Sequence, residues 1–452
     1  MTLTNQEKRE AGEAYERGVA AQRAGDLCAA SVEWRRALGL NGEHKAALYN
    51  LAVVLAMTGD ARGAEEFYGK LLGLEPEHRD ALYNLGNLKS RQGEHEAARA
   101  LYRRLIDVDA ENVPGRVNLA KSYSDEGDFE TAEALLREAV RIEAARGEEV
   151  HAVTEWNLSH ILLRQRRWAD GWRAYEARLR LPGWFAGIAG VKEWRGEAEA
   201  RRVLLWNDQG IGDAIQFLRY AQVAEARGHE VWVLVQDALK RVAATVPGVA
   251  GVVGPSDIMP QFDAQAPLPS MPHRLGVARP VWDGAYVKSD ARMELARTEG
   301  YRAVGLVWAG NGQHKGDARR SVALKELRTL FDVPGIDWFG LQFGEAAAQI
   351  AAEGLGEKIF DLSPRLKDFG DTAAAIASLD LVVTIDTSVA HLAGAMGVAC
   401  WLMLPVLPEW RWAGTEATSV WYPSMRIFRQ KKTGDWRGVA ASVAGALASR
   451  GD

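Results

Sequence analysis

Residues 59–94 read GDARGAEEFYGKLLGLEPEHRDALYNLGNLKSRQGE, a stretch that runs from one turn to the next copy of that turn. Gly25-Asp26, Gly59-Asp60, Gly93-Glu94 and Gly127-Asp128 stand 34 residues apart. Ala30, Ala64, Ala98 and Ala132 keep the same step, as do Trp34, Tyr68 and Tyr102, with Leu136 completing that column. Self-similarity at a fixed period of about 20–50 residues marks a repeat architecture. The period predicts two amphipathic helices per unit, with the Gly ending the first of them. The small Ala lets helices approach closely, and the large aromatic fills the gap to the next unit. The blocks are 11–44, 45–78, 79–112 and 113–146, with Pro76 and Pro114 near junctions.

This pattern resembles tetratricopeptide (TPR) repeats. A degenerate fifth unit is expected at about 153–183, after a short insertion at 147–152. It carries Trp156-Asn157-Leu158, Trp168, Trp172 and Tyr175, and Arg166 replaces the turn Gly. Terminal repeats are usually atypical because one face meets something different. Asn50, Asn84, Asn118 and Asn157 recur at one position of the first helix. A ladder of amides could hold the backbone of an extended acceptor peptide, since each offers donors and an acceptor. Equally, each Asn could merely link neighbouring repeats.

From about Arg201 the pattern changes. Apolar runs at 202–206, 231–236, 304–310, 338–342, 359–362, 381–386 and 400–404 read as strands, most separated by helical stretches such as 210–227. Alternating strands and helices imply parallel sheets covered on both faces. A Pro-rich stretch at 255–280 and a linker near 286–300 divide the region. The expected organisation is an all-α solenoid over 1–183, followed by an α/β region. That region comprises doubly wound half-domains at 184–290 and 291–432 facing one cleft, and a closing helix at 433–452.

Three loops carry candidate chemistry. The strand at 202–206 runs into Asn207-Asp208-Gln209-Gly210-Ile211-Gly212-Asp213. A strand, a Gly-rich turn and a helix start make a natural anion site. A dinucleotide fingerprint is disfavoured, because its third Gly falls at Ile215 and its acidic residue at Gln236. Asp213 is either a general base facing the cleft or a helix-start carboxylate stabilised by the dipole. After the strand at 304–310 come Asn311, His314, Lys315, Arg319, Arg320 and Ser321, a basic loop suited to a diphosphate. Gln342 ends the next strand and is assigned to the same donor site. The third loop, Asp386-Thr387-Ser388 with His391 one turn on, joins a buried strand end to a helix N-terminus that could face a phosphate.

Composition narrows the classes. The 452 residues hold 55 Lys and Arg against 60 Asp and Glu, a net charge of -5, which gives no support to nucleic-acid binding. No apolar run is long enough for a membrane span. The polar N-terminus lacks a signal-peptide core, and Cys28 and Cys400 lie far apart, so a reducing, cytoplasmic setting is expected. No HExxH or Cys/His cluster signals a metal, so no metal or bound cofactor is expected. Trp is in excess, at 16 residues, and several of these crowd 156–194 and 401–421.

Together, GlyIleGlyAsp at 210–213, the 315–321 loop and AspThrSerValAlaHisLeuAla at 386–393 resemble heptosyltransferase-like (family 9-type) glycosyltransferases of the GT-B fold. The repeats resemble those of protein O-glycosyltransferases with an asparagine ladder, and some bacterial pairings of this kind are linked to flagellin glycosylation. The resemblance implies an inverting, metal-independent enzyme. It would move a sugar from a nucleotide-sugar donor to a Ser or Thr hydroxyl of a protein acceptor in the repeat groove. Asp213 matches the proposed base, Lys315 a lysine on the donor phosphates, and Asp386, Thr387 and His391 the donor-holding motif. The 315–321 loop is longer and more basic than in those enzymes, and the 408–423 tail differs, so the donor need not be ADP-heptose. Transfer to a glycan or lipopolysaccharide core stays open, as does a non-catalytic scaffold with a relic transferase half.

Overall fold

The computed structural model describes residues 3–147, 149–184, 187–277, 279–280, 284–312 and 316–449. The chain divides into two compact units, Met1–Ile161 and Leu162–Asp452.

The first unit is built of TPR helix pairs. They are α1 (Asn5–Arg23) with α2 (Leu27–Leu40), α3 (Lys45–Met57) with α4 (Ala61–Leu74), α5 (Arg79–Arg91) with α6 (His95–Val108), and α7 (Val113–Glu126) with α8 (Phe129–Ala145). The unit ends within α9 (Ala152–Arg164). Gly25, Gly59, Gly93 and Gly127 all take φ between 80° and 92°, which explains their recurrence. The acid after each Gly caps the next helix. Asp26, Asp60 and Asp128 accept from the N–H of Ala29, Gly63 and Thr131, at roughly 1 kcal/mol each. Glu94, one methylene longer, makes no such bond. Trp34, Tyr68, Tyr102 and Leu136 are all buried. Trp34 faces Gly18 and Tyr102 faces Gly86, where a β-carbon would come within 2.4 and 2.6 Å of the ring. The aromatic column therefore demands a small residue opposite it.

The first whole helix of the second unit is α10 (Trp168–Tyr175), the second helix of the expected fifth repeat. Arg166 keeps the left-handed turn there, with φ 60°, although it has a β-carbon. Trp172 packs edge-on against Phe217, Trp410 and Trp421, so this helix shares a core with residues of the sheet region.

The strands are β1 (Lys192–Glu193), β2 (Arg202–Trp206), β3 (Glu230–Leu234), β4 (Val249–Val253), β5 (Ala264–Pro267), β6 (Arg302–Val307), β7 (Ile336–Gly340), β8 (Ile359–Asp361), β9 (Leu381–Ile385), β10 (Cys400–Leu404) and β11 (Met425–Arg429). They form two all-parallel sheets, β1-β5-β2-β3-β4 and β11-β10-β9-β6-β7-β8. The second sheet starts near its middle at β6, runs outward through β7 and β8, then crosses to β9, β10 and β11; the first runs from β2 through β3 and β4 and crosses to β5, with β1 at the edge beyond β5. The reversal lies between β2 and β5 in the first sheet and between β6 and β9 in the second. Ligands of such sheets gather outside the strand carboxyl ends at that reversal.

β1, β4, β5 and β11 go beyond the strands read from sequence. β5 lies inside the Pro-rich 255–280 stretch and is buried along its whole length. The expected 210–227 helix is divided into α11 (Ile211–Leu218) and Tyr220–Glu225. The C-terminal helix Trp436–Ala448 packs into the second sheet's core through Trp436, Val439 and Val443. Among the described residues, no helix is long and apolar enough to cross a membrane.

Candidate functional site

The first sheet's reversal is filled by the chain itself. Arg178, in the turn after α10, is fully buried. Its Nε donates to Asp208 Oδ2 at 2.8 Å and its Nη2 to Ser270 Oγ at 2.8 Å. Its Nη1 donates to the Tyr175 carbonyl and to Glu176 Oε1, at 3.1 and 3.0 Å. Asp208 follows β2 and Ser270 follows β5, so the guanidinium joins the two strand ends at the place where a ligand would otherwise enter. The Trp184 indole also donates to Asp208 Oδ2, at 2.9 Å.

The same loop leads into α11. Asp213, in the first turn, accepts the Gly210 N–H at 3.1 Å, which satisfies one exposed helix donor. Its other oxygen is ion-paired with Arg411. Arg411 is held in turn by Gln216 Oε1 at 2.5 Å and Glu409 Oε1 at 2.6 Å. Its guanidinium lies 4.2 Å from the centre of the Trp410 ring. The Asp213 side chain keeps 22% of its surface exposed, against 9% for Arg411. Asp213 is thus a helix-start carboxylate that stays partly exposed.

The second sheet's reversal has polar groups on both sides. Asp386 follows β9, and Thr387 is the N-cap residue of the helix Ser388–Ala395. The Thr387 hydroxyl pairs with Thr384 Oγ1 at 3.3 Å and makes no cap bond. This helix meets α11 closely: a β-carbon on Gly212 would lie 2.9 Å from His391 Cδ2 and 3.6 Å from Ser388 Cα. Two helix N-termini, one from each sheet, therefore converge, and both favour negative charge. Beyond β6, Ser321 Oγ accepts the Gly310 N–H at 2.9 Å and donates to Asp317 at 2.7 Å. Asp317 also accepts from Arg320 Nε at 3.1 Å.

Burial raises the Asp386 carboxyl above its ordinary range, against the Trp412 indole and the Arg320 and Arg411 charges. Burial raises Glu409 too, with Arg411 opposing it and Asp386 adding to it. His391 is pushed well below its ordinary value by burial and then by Arg411, Arg219 and Arg320. These surroundings favour its neutral form, and its Nδ1 meets Tyr422 Oη at 2.9 Å.

The structure brings Gly210, Gly212, Asp213, Asp386, Thr387, Ser388 and His391 to one place, where the two helix starts meet. Two of the expected donor-site residues have partners within the protein. His391, expected in the donor-holding motif, is buried behind Gly212 and contacts Tyr422 Oη. Gln342 spends its amide on the loop: Oε1 accepts from Trp308 and Ala309 N–H, and Nε2 donates to the Ala309 and Phe343 carbonyls. Asn311 and Arg319 are exposed. His314 and Lys315 lie outside the described residues. Arg411, Glu409 and Arg178 escaped the sequence reading. Nothing in their spacing announces them, because the contacts that tie Arg178 to Asp208 and Arg411 to Gln216 and Asp213 span 30, 195 and 198 residues.

In the solenoid, Asn50 donates to Tyr15 Oη at 3.2 Å and Asn84 to Tyr49 Oη at 3.1 Å. Asn118 donates to Asn87 Oδ1 at 2.7 Å. These three link neighbouring repeats, while Asn157 bonds back to the Val153 carbonyl of its own helix. All four residues are half-buried. Among the described residues, no group of three or more His, Cys, Asp or Glu is placed to hold a metal ion.

Comparison with known proteins supports the repeats. Tetratricopeptide repeat profiles match residues 15–74, 55–112 and 89–156. Protein FlbA of Caulobacter vibrioides is 27% identical over 337 residues, covering 66% of this chain and 55% of that protein. The chain thus spans about half the length of that curated relative. Among solved structures, MamA from Desulfovibrio magneticus RS-1 covers 40% of this chain and 94% of its own, at 17% identity and a TM-score of 0.34. Pseudomonas aeruginosa pilF covers 49% of this chain and 88% of its own, at 17% identity and a TM-score of 0.36.

Proposed function

We propose that this chain is a glycosyltransferase of GT-B type, with a nucleotide-sugar donor and a Ser or Thr hydroxyl of a protein as acceptor. One observation carries this reading. The first sheet's ligand position is plugged by the Arg178–Asp208 pair, while at the second sheet's reversal a helix N-terminus, Asp386 and Arg320 stand opposite the partly exposed Asp213. The donor diphosphate is assigned to the second sheet, where the Ser388–Ala395 N-terminus and Arg320 stabilise its charge. Asp386 accepts hydrogen bonds from sugar hydroxyls.

Asp213 takes the proton as the acceptor oxygen bonds to the anomeric carbon, and the bond from that carbon to the phosphate oxygen breaks. The nucleotide leaves with the electron pair, and the sugar configuration inverts. No metal or bound cofactor enters this scheme, and the setting is cytoplasmic. The repeats hold the acceptor polypeptide, with each Asn–Tyr rung against its backbone.

The test is a titration of the full chain with ADP, GDP, UDP and CMP, read by thermal shift and calorimetry. It is followed by a mass measurement on a co-expressed acceptor with the matching sugar nucleotides. Saturable binding of one nucleotide, weakened by Asp386→Ala and not by Asp213→Asn, is expected. Failure of every nucleotide to bind would leave the repeats as a scaffold without a transferase.

A further inference from the structure

Arg178 stands outside the three loop motifs, yet it is a fully buried arginine that donates hydrogen bonds to Asp208, Tyr175, Glu176 and Ser270. A buried arginine is rare unless paired. Its partner Asp208 also has a fully buried side chain. Buried pairs of this kind add little net stability, since desolvation offsets attraction, and the attested return is geometric specificity. The geometry here has an evident object. Asp208 is two residues before Gly210, the N-cap of α11, and five before Asp213. The next loop residue, Gln209, is tied to Tyr175 Oη at 2.8–3.0 Å, and Tyr175 lies under the Arg178 guanidinium at 4.9 Å. The segment following the repeats therefore grips the loop that starts the Asp213 helix.

We infer that Arg178 is a positioning residue: through Asp208 it fixes the 207–210 loop so that Asp213 is presented to the acceptor hydroxyl. The inference rests on the proposed transferase reading for its chemistry and on the geometry alone for its structural half. The fork matters as well as the charge. Nε reaches the β2 loop while Nη2 reaches the β5 side, a span a lysine ammonium cannot cover.

The experiment uses the full chain with three changes: Arg178→Lys, Arg178→Met, and the double change Arg178→Met with Asp208→Asn. The double change removes both charges but keeps an acceptor for the Trp184 indole, so it stays folded if Arg178→Met does not. Two readouts are taken. Hydrogen–deuterium exchange over 207–213 is expected to rise at least tenfold in the lysine and double variants, with 388–395 unchanged. Turnover with the nucleotide sugar whose nucleotide binds the wild type is expected to fall at least tenfold in kcat, with KM for the donor and nucleotide affinity unchanged. Wild-type exchange and kcat in the folded double variant would overturn the inference. If no nucleotide binds the wild type, the transferase reading fails by itself, and the exchange measurement still decides whether Arg178 holds the loop.

Discussion

Arg411 and Asp213 are ion-paired across 198 residues of sequence, joining the loop after β10 to the first turn of α11. The arginine also bonds Gln216 and Glu409, so it gathers two carboxylates from separate segments around one cation. Arg411→Gln is therefore expected to leave Asp213 and Glu409 without their cation. Its stability loss should approach the roughly 3–5 kcal/mol seen when one partner of a buried pair is removed, less a discount for the exposed part of Asp213. Urea denaturation measures this. Asp213→Asn keeps an acceptor for the Gly210 N–H, so its stability change should be much smaller. Its transfer rate should fall by about 10²–10⁴-fold, and an undiminished rate would remove Asp213 from the chemistry.

Gly212 has a packing reason to be glycine. A methyl group there would meet His391 at 2.9 Å and press toward the Ser388 backbone. Gly212→Ala should cost about 1–3 kcal/mol through overpacking. Adding His391→Ala should recover part of that loss, and a double-mutant cycle should show coupling. Independent, additive effects would mean the two helix starts are not in contact.

The buried titrating groups act in opposite directions with pH. His391 has its folded-state value depressed below the unfolded one, so its neutral form is favoured in the fold. Its contribution is complete above about pH 6.5, the unfolded value. It is lost progressively as pH falls below that value, because only the unfolded chain takes up the proton. Unfolding free energy should therefore decline below pH 6.5 in the wild type, and this part of the slope should flatten in His391→Gln.

Asp386 is the converse case. Its folded-state value is raised by burial, so the ionised carboxylate costs stability at neutral pH and ceases to do so as pH falls through the folded value. Asp386→Asn should accordingly raise the melting temperature at pH 7 while weakening nucleotide binding. A lowered melting temperature would show that the carboxylate is structurally required.

In the solenoid, the Asn84–Tyr49 bond joins consecutive repeats. Asn84→Ala and Tyr49→Phe should each cost about 0.5–1.5 kcal/mol, and the double change little more than either, since both remove one bond. Asn157→Ala breaks only a bond within its own helix and should cost less. If changing Asn50, Asn84 and Asn118 together abolishes acceptor modification while nucleotide binding is intact, the rungs also hold the acceptor.

The solenoid was legible because its determinants are local and repeated. Gly at a left-handed turn, Asp at the following cap and an aromatic facing a small residue each act within one or two helices, so a 34-residue period suffices to read them. Most strands were legible for a similar reason: a strand buried on both faces is a continuous apolar run, as in β9 and β10. The loops that end β2, β6 and β9 followed from the rule that parallel sheets bind ligands at strand carboxyl ends.

Which groups face one another was decided by the tertiary structure alone. The sequence marks Asp213 and His391 but not that Arg411 pairs with one and that the other backs Gly212. It marks Asp208 as part of a loop but not Arg178 beneath it. A single arginine carries no periodic signal, and its effect depends on burial, which is a property of the folded chain. Local chemistry therefore specified the elements and their ends, while packing and desolvation determined which charges those ends share.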